Sequence, residues 1–281
     1  MNMSHIETRR KSKLGTVLVY VAIAVLLIIN LFPVYWMFIG SLKDRTEVYS
    51  NPPVFWPKEL KWSNFTKALE RGGARGIRNS LIVAGTGALL SVVLGSLAAY
   101  SIARYKTGGD FLSFWILSIR MAPPIAGIIP IFIMMRYARL LDKHAALILS
   151  YFLFNLPFAV WLTKGFFEDI PADVEGAALV DGWNRFQAFW RVALPLAVPA
   201  LIVTGLFCFI FSWNEFLFAL VLTRSKAVTL PVIISGMVGG HEIMWGEISA
   251  LSVLTSLPVT ILAMLLQKYL VRGLTFGAMR G

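Results

Sequence analysis

The sequence is short of nearly everything a reaction centre needs. It holds one cysteine and three histidines in 281 residues. Cys208 lies inside an apolar run, so neither a disulfide framework nor a thiolate metal site can form within one chain. His5 and His144 stand in polar flanks without metal-ligand spacing. His241-Glu242 is followed by Trp245 where a zinc protease carries its second histidine. No G-x-x-x-x-G-K-S/T loop is present to cradle phosphates, so the chain is not expected to hydrolyse ATP itself. No nucleophile–base pair can be nominated, which leaves an intramembrane enzyme without support. The chain calls for no cofactor of its own.

Charge is also scarce. Charged residues make up 15% of the chain against about a quarter in soluble proteins, while 57% is hydrophobic and the mean hydropathy is +0.71. No soluble core could absorb that much apolar surface, so the solvent is lipid. The net charge of +11 and the pI near 10.0 invite a nucleic-acid partner. That reading needs a sustained basic face, and the cations are instead dispersed among apolar runs. Their tightest group, Arg9, Arg10, Lys11 and Lys13, precedes the first run and fits an anchor beside anionic headgroups.

A hydrocarbon core about 30 Å thick needs roughly 20 apolar residues in a helix. Six stretches qualify, at 17–40, 81–103, 111–135, 145–165, 197–222 and 248–270. Backbone amides in lipid must be satisfied within their own segment, so each is expected to be a helix. The first is too long for a signal-peptide core and lacks a small-residue cleavage pattern, so it is expected to be retained. In the second, Gly87, Ser91, Gly95 and Ala99 recur every four residues, a face on which another backbone can approach closely. The 41–79 connection is long and polar, with Trp56 and Trp62 beside prolines, as in a loop at the membrane interface. The positive-inside count does not decide orientation globally; the basic cluster before the first span favours an inside amino terminus.

The connection at 166–196 differs from the others. Pro171 can open a short helix, and Gly182 can end it in a left-handed conformation that other residues resist. At about 15 Å, such a helix cannot cross a bilayer. Val174, Ala177 and Ala178 are expected to give it a shallow face, rimmed by Asp173, Glu175 and Asp181. Phe186, Phe189, Trp190 and Ala193 make an apolar stripe on the helix that follows. By its physics this is either a rod that docks into a groove on another protein or an interfacial helix with no partner.

Here the chain resembles a known family. Ala177 and Ala178, then Gly182 after three residues, then Val192, Leu194 and Pro195 after nine more, follow the E-A-A…G…I-x-L-P pattern. That pattern marks the membrane subunits of bacterial ABC importers. One departure is present: Gly176 stands where the family's glutamate usually falls, and Glu175 stands one place earlier. The segments F-P-V-Y-W-M (32–37), N-S-L-I-V-A (79–84), R-M-A-P-P (120–124), F-N-L-P-F-A (154–159) and S-W-N-E-F (212–216) resemble the carbohydrate-uptake branch. The ending, Y-L-V-R-G-L-T-F-G-A-M-R-G, is similar to the tail of its MalG-like members.

The resemblance implies an all-α integral membrane protein with six transmembrane helices and a cytoplasmic coupling helix between spans 4 and 5. It implies one permease domain over 1–281, in which 1–13 is a cytoplasmic basic tail and 41–79 a periplasmic loop. The coupling loop would occupy 166–196 and a cytoplasmic tail 272–281. Both termini would be cytoplasmic in a bacterial inner membrane. Glu175, Gly176, Ala177, Ala178, Asp181, Gly182, Leu194 and Pro195 become candidates for coupling to an ATPase, and Arg272, Gly273 and Gly277 for a carboxy-terminal contact with it. The implied partners are a second permease subunit, a homodimeric ATPase that holds the ATP and magnesium, an extracytoplasmic solute-binding protein and a sugar-like cargo.

Polar residues inside the spans supply candidates for the pathway. Arg120 falls near the middle of the third span, where a charge costs several kcal/mol unless it faces water or a partner. Pro123, Pro124 and Pro130 follow it and interrupt the helix ladder. Arg120 could line a solute pathway or belong to a charge pair within the bundle. Asn155, Asn214 and Glu215 could likewise contact cargo or bond between helices. An ion-coupled carrier for a small polar solute is the alternative; such carriers tend to show repeated halves and paired midplane carboxylates, and neither is evident.

Overall fold

The apolar runs of this chain fold into helices, several of which carry a proline inside them. A computed structural model describes residues 13–238 and 243–276, and all regular structure among them is helical. In chain order the helices are α1 (Lys13–Leu42), α2 (Arg45–Val48), α3 (Ser63–Ala68), α4 (Ala74–Tyr105), α5 (Gly109–Met121), α6 (Pro124–Tyr137) and α7 (His144–Asp169). They continue as α8 (Ala172–Val180), α9 (Arg185–Ala188), α10 (Leu194–Trp213), α11 (Leu217–Leu222), α12 (Leu230–Val238) and α13 (Trp245–Phe276). A kink at Arg71 and Gly72, the latter at φ 106°, separates α3 from α4, and a wider π turn occupies Phe189–Ala193.

Among the described residues, five helical stretches are long and apolar enough to span a membrane, and the bent pair α5–α6 makes a sixth if counted as one. The sequence led us to expect one helix over 111–135. The structure instead bends by 92° between α5 and α6. Ala122 and Pro123 each precede a proline and adopt extended backbone, and Pro124 then opens α6 without needing an amide partner. The fifth span is corrected in the same way. It was expected to run to residue 222 but stops at Trp213, and α11 is a separate helix. The amino-terminal end of that span is longer than expected, because α9, the π turn and α10 join into one stretch over Arg185–Trp213. Pro195 accounts for the π turn: it has no amide proton and crowds the carbonyl four residues back, and widening the turn gives Leu194 a bond to the Phe189 carbonyl.

The chain divides into two compact units, Met1–Lys67 with Met244–Val253, and Ala68–Ile243 with Leu254–Gly281. In the first, α1 is apolar all round, with side chains from Val17 through Leu31 exposed, as suits a helix whose surroundings are lipid or another apolar helix. Its end is tied to the loop that follows. Lys61 donates its amide to the Leu42 carbonyl at 2.9 Å, and the Asn64 amide donates to the Ser41 and Lys43 carbonyls. Trp56 and Trp62 stay exposed.

In the second unit, α4, α7 and α10 form the core. The small-residue face of α4 is where α7 lies: a Cβ on Gly95 would sit 2.8 Å from the Ala159 Cβ, and Gly87 faces Tyr151. Close backbone approach of this kind holds helices together where lipid removes the hydrophobic drive. Two apolar clusters sit at opposite ends of α4. Leu147, Phe218 and Leu222 pack around Val83 at one end, and Phe167, Phe189 and Ala193 pack around Ala99 and Tyr100 at the other.

Candidate functional site

The short helix after α7 is built by its caps. Ile170 and Pro171 are extended, α8 follows for nine residues, and Gly182 turns the chain at φ 90°, where a side chain would be strained. The Gly182 amide donates to the Leu179 carbonyl and the Trp183 amide to the Ala178 carbonyl, which closes the helix end. Asn184 and Gln187 then form a reciprocal capping box at 2.9 and 3.0 Å that starts α9. The turn between the two helices is therefore fixed on both sides.

The faces of α8 differ from the expectation in two respects: Ala178 turns inward, away from Val174 and Ala177, and so does Glu175. Glu175 was expected on the outer rim, but it is buried together with Ala178, and these two make the inward face. Its carboxylate accepts from the Tyr100 hydroxyl and from Arg104 Nε, both at 2.6 Å, while Arg104 Nη2 donates to the Ile170 carbonyl at 2.8 Å. The guanidinium thus holds α8 and the exit of α7 together. Tyr100 lies against Phe167 and Phe189, with ring centroids 5.4 and 4.7 Å away. Outside this clasp, Asp173, Val174, Ala177, Val180, Asp181 and Gly182 are exposed, and Gly176 is half-buried. In the following stripe Phe189 and Ala193 are buried, whereas Phe186 and Trp190 remain exposed. Leu194 is half-buried and Pro195 exposed at the start of α10. Arg272 and Gly273 fall in the last turns of α13, of which only the backbone is described, and Gly277 lies outside the described residues.

Elsewhere in the same unit the four polar residues singled out in the spans line one cavity of about 270 Å³. Arg120 donates from Nη1 to the Phe154 carbonyl at 3.0 Å, with its guanidinium carbon 4.7 Å from the Phe211 ring centre. Asn155 is buried and ties α7 to α10, donating to Ser212 Oγ at 2.8 Å and to the Cys208 carbonyl at 3.3 Å. Asn214 bonds back to the Ile210 carbonyl within its own helix. Glu215 accepts from the amides of Phe218 and Ala219 and caps α11, which is why the fifth span breaks there. Arg120 and Glu215 share the cavity without forming an ion pair.

A third fastening lies at the other end of the bundle. Asp142, between α6 and α7, accepts from the amides of Arg224, Ser225, Lys226 and Ala227 and from the Ser225 hydroxyl, at 3.0 to 3.2 Å. Burial would raise its pKa, but the four amides outweigh burial and hold the carboxyl well below the usual carboxylate range. Beside it, Asn79 donates to the carbonyls of Lys226 and Val228 and meets His144 Nε2 at 2.9 Å. Sequence reasoning missed Asp142, Tyr100, Arg104 and Tyr151. A signal existed only for the middle pair: Tyr100 and Arg104 are four residues apart and share a face at the end of α4. Among the described residues no cluster is suited to a metal ion.

Residues 91–276, which include the short helix, its clasp and the cavity, match the profile of the binding-protein-dependent transport system inner membrane component. The chain belongs to this family. It is an ABC importer permease, a multi-pass membrane protein. It is 34% identical to the trehalose/maltose transport system permease protein MalG of Thermococcus litoralis over 278 residues, covering 97% of this chain and 99% of that one. It is 35% identical to the sulfoquinovosyl glycerol transport system permease protein SmoH of Agrobacterium fabrum, covering 95% of each. In fold the permease is similar to a chain of a bacterial ABC transporter involved in the import of the acidic polysaccharide alginate. The TM-score is 0.74 at 24% identity, with 96% of this chain and 99% of that chain covered. The ion-coupled alternative gains nothing from these relatives.

Proposed function

We propose that this permease is one half of a heterodimeric pathway that imports a sugar or related polyhydroxylated solute, driven by a separate ATPase. Relatives named for trehalose/maltose and for sulfoquinovosyl glycerol support the cargo class. In this reading both termini and α8 face the cytoplasm, the 41–79 loop faces outward, and a solute-binding protein delivers cargo to the outer side. ATP and magnesium stay with the ATPase, a homodimer that receives α8 in a surface groove. Arg272, Gly273 and Gly277 would add a second contact with it. The single observation that carries the proposal is the geometry of α8. Its outer face is small and exposed at Ala177 and Gly182, while Glu175 fastens its inner face to Tyr100 and Arg104 on α4. Its far end runs through a capped turn into the fifth span. A push on such a helix reaches two spans directly, which is what alternating access requires.

The test is uptake in proteoliposomes that hold both permease subunits and the ATPase, with binding protein outside. Gly182→Pro and Ala177→Trp are expected to insert normally and to abolish ATP-linked uptake. Normal uptake in both would remove α8 from the mechanism, and uptake without the ATPase would overturn the importer reading.

A further inference from the structure

Charge is divided unequally between the two ends of α4. At the end that holds α8, the segments 104–110 and 164–191 carry five cations and six carboxylates. Two of those cations are paired, Arg104 with Glu175 and Lys164 with Glu168. At the other end, about 40 Å away by the rise of a helix, three segments meet. They are the start of α4 at 74–79, the connection from α6 to α7 at 139–144, and the stretch 223–229 before α12. Asn79 bonds to the carbonyls of Lys226 and Val228 and meets His144, so the three form one surface. Together they carry six cations, Arg75, Arg78, Arg139, Lys143, Arg224 and Lys226, and one carboxylate, Asp142. All six cations are exposed, and none has an ion-pair partner among the described residues. Asp142 keeps its charge, which leaves the surface with an excess of five positive charges.

Such a surface is costly in the place the fold gives it. With α8 in the cytoplasm it faces outward, and Lys and Arg in short outward loops oppose that orientation during insertion. Cations of one sign also repel one another, and here no pairing within the fold offsets the repulsion. The backbone beneath them is nonetheless held firmly. Asp142 takes the amides of Arg224 and Lys226, Asn79 holds the Lys226 carbonyl, and Ala227 and Leu230 are buried. With the backbone fixed, only side-chain rotamers remain to be ordered on contact, which lowers the entropy cost of docking a second rigid surface. Mobile lipid headgroups, which adapt to any cation, need no such framework.

We infer that this end face is a platform for an acidic protein surface, a carboxylate-bearing face of the solute-binding protein on which the family depends. The inference rests on the import reading and the orientation given above, and it adds the chemistry of the contact. Arg139, Lys143, Arg224 and Lys226 draw the partner in across a Debye length, about 10 Å at 0.1 M salt, and meet its carboxylates on arrival. A platform of one sign also turns away binding proteins of other importers whose faces are neutral or basic.

The test follows the cognate solute-binding protein as it associates with the assembled transporter, both permease subunits and the ATPase in phosphatidylcholine nanodiscs. Stopped-flow fluorescence reads the on-rate at low and high salt, about 0.05 and 0.5 M NaCl. The on-rate is expected to fall ~10-fold or more between them, and Arg224→Glu combined with Lys226→Glu should lower it ~10-fold or more at low salt. Lys106→Glu, an exposed change at the α8 end, should leave it unchanged. A zero-length carbodiimide, which joins amines to carboxylates, should link Lys143 and Lys226 to acidic residues of the binding protein. An on-rate indifferent to salt and to the double reversal, an equal loss in Lys106→Glu, or no link at either lysine overturns the inference. So does loss of bound phosphatidylglycerol from the double variant, read by native mass spectrometry, while binding-protein association stays intact; the surface would then serve lipid. Arg139→Cys, probed with a membrane-impermeant maleimide, reports the orientation separately. Outward labelling with salt-indifferent docking leaves the import reading standing and removes only the acidic contact. Inward labelling, or no association at any salt, overturns both.

Discussion

Two carboxylates at opposite ends of the bundle fasten loops to helices by different means. Glu175 is gripped by side chains, a phenol and a guanidinium that reach out from α4. Asp142 is gripped by backbone, four successive amides of the segment that follows α11. A side-chain grip has rotatable bonds on both sides and can travel with a moving helix. A backbone grip fixes the curvature of the loop itself, so it can only hold or let go. The difference places a joint able to transmit motion at the α8 end and a rigid staple at the other.

The largest effect is expected from Glu175→Ala. It leaves the Arg104 charge half-buried without its partner, and breaking a buried pair on one side costs about 3–5 kcal/mol. On the proposed coupling role of α8, ATP-linked uptake should fall at least tenfold while ATP hydrolysis by the assembled transporter continues. Uptake and hydrolysis falling in equal proportion would mean that Glu175 serves assembly alone. Glu175→Gln keeps one acceptor and should lose less, about 1–2 kcal/mol in a detergent melt, as a charged bond replaced by a neutral one does.

Asp142→Ala comes next. It deprives four amides of their acceptor, but Arg224, Ser225 and Lys226 are exposed and water can replace part of what is lost. A cost of about 1–3 kcal/mol is expected, read as faster amide exchange confined to 224–227, with the α8 region unchanged. Loosening of both regions would dissolve the contrast between joint and staple. The smallest effect concerns pH. Because the folded Asp142 carboxyl is depressed, its stabilisation is complete above the unfolded value and is lost only as pH falls through the folded one. Protection factors at 224–227 should therefore hold at pH about 4, near the ordinary aspartate value. Loss of protection by pH 5 would show that the amides do not favour the charged form.

Much of this was legible in the residues. The count of spans, the small-residue face of α4 and the short helix ended by Gly182 follow from periodicity, glycine and proline alone. What the sequence could not give was tertiary in origin. Arg104 and Glu175 lie 71 positions apart, and neither carries a local sign of the other. The breaks at residues 122 and 214 were underestimated because a window of apolar residues reads the same whether its backbone is straight or folded. Pro123 and Pro124 were visible, but the size of their consequence, a bend of 92°, is not written in the local sequence. Gathering Arg120, Asn155, Asn214 and Glu215 around one cavity required the fold.

The right-angled third span has a consequence for the life of the chain outside its complex. Its two arms measure about 20 Å each at 1.5 Å per residue, so neither crosses a bilayer alone, and the elbow between them leaves extended backbone at Ala122 and Pro123. The Pro123 carbonyl takes the Ala126 amide, but hydrocarbon offers the Ala122 carbonyl no donor, so it must be roofed by protein or bathed by a water-filled vestibule. A solitary copy stranded in lipid lacks that roof. Synthesis of this subunit without its companions is therefore expected to yield a short-lived protein that the cell's membrane proteases clear, and co-expression is what should rescue it.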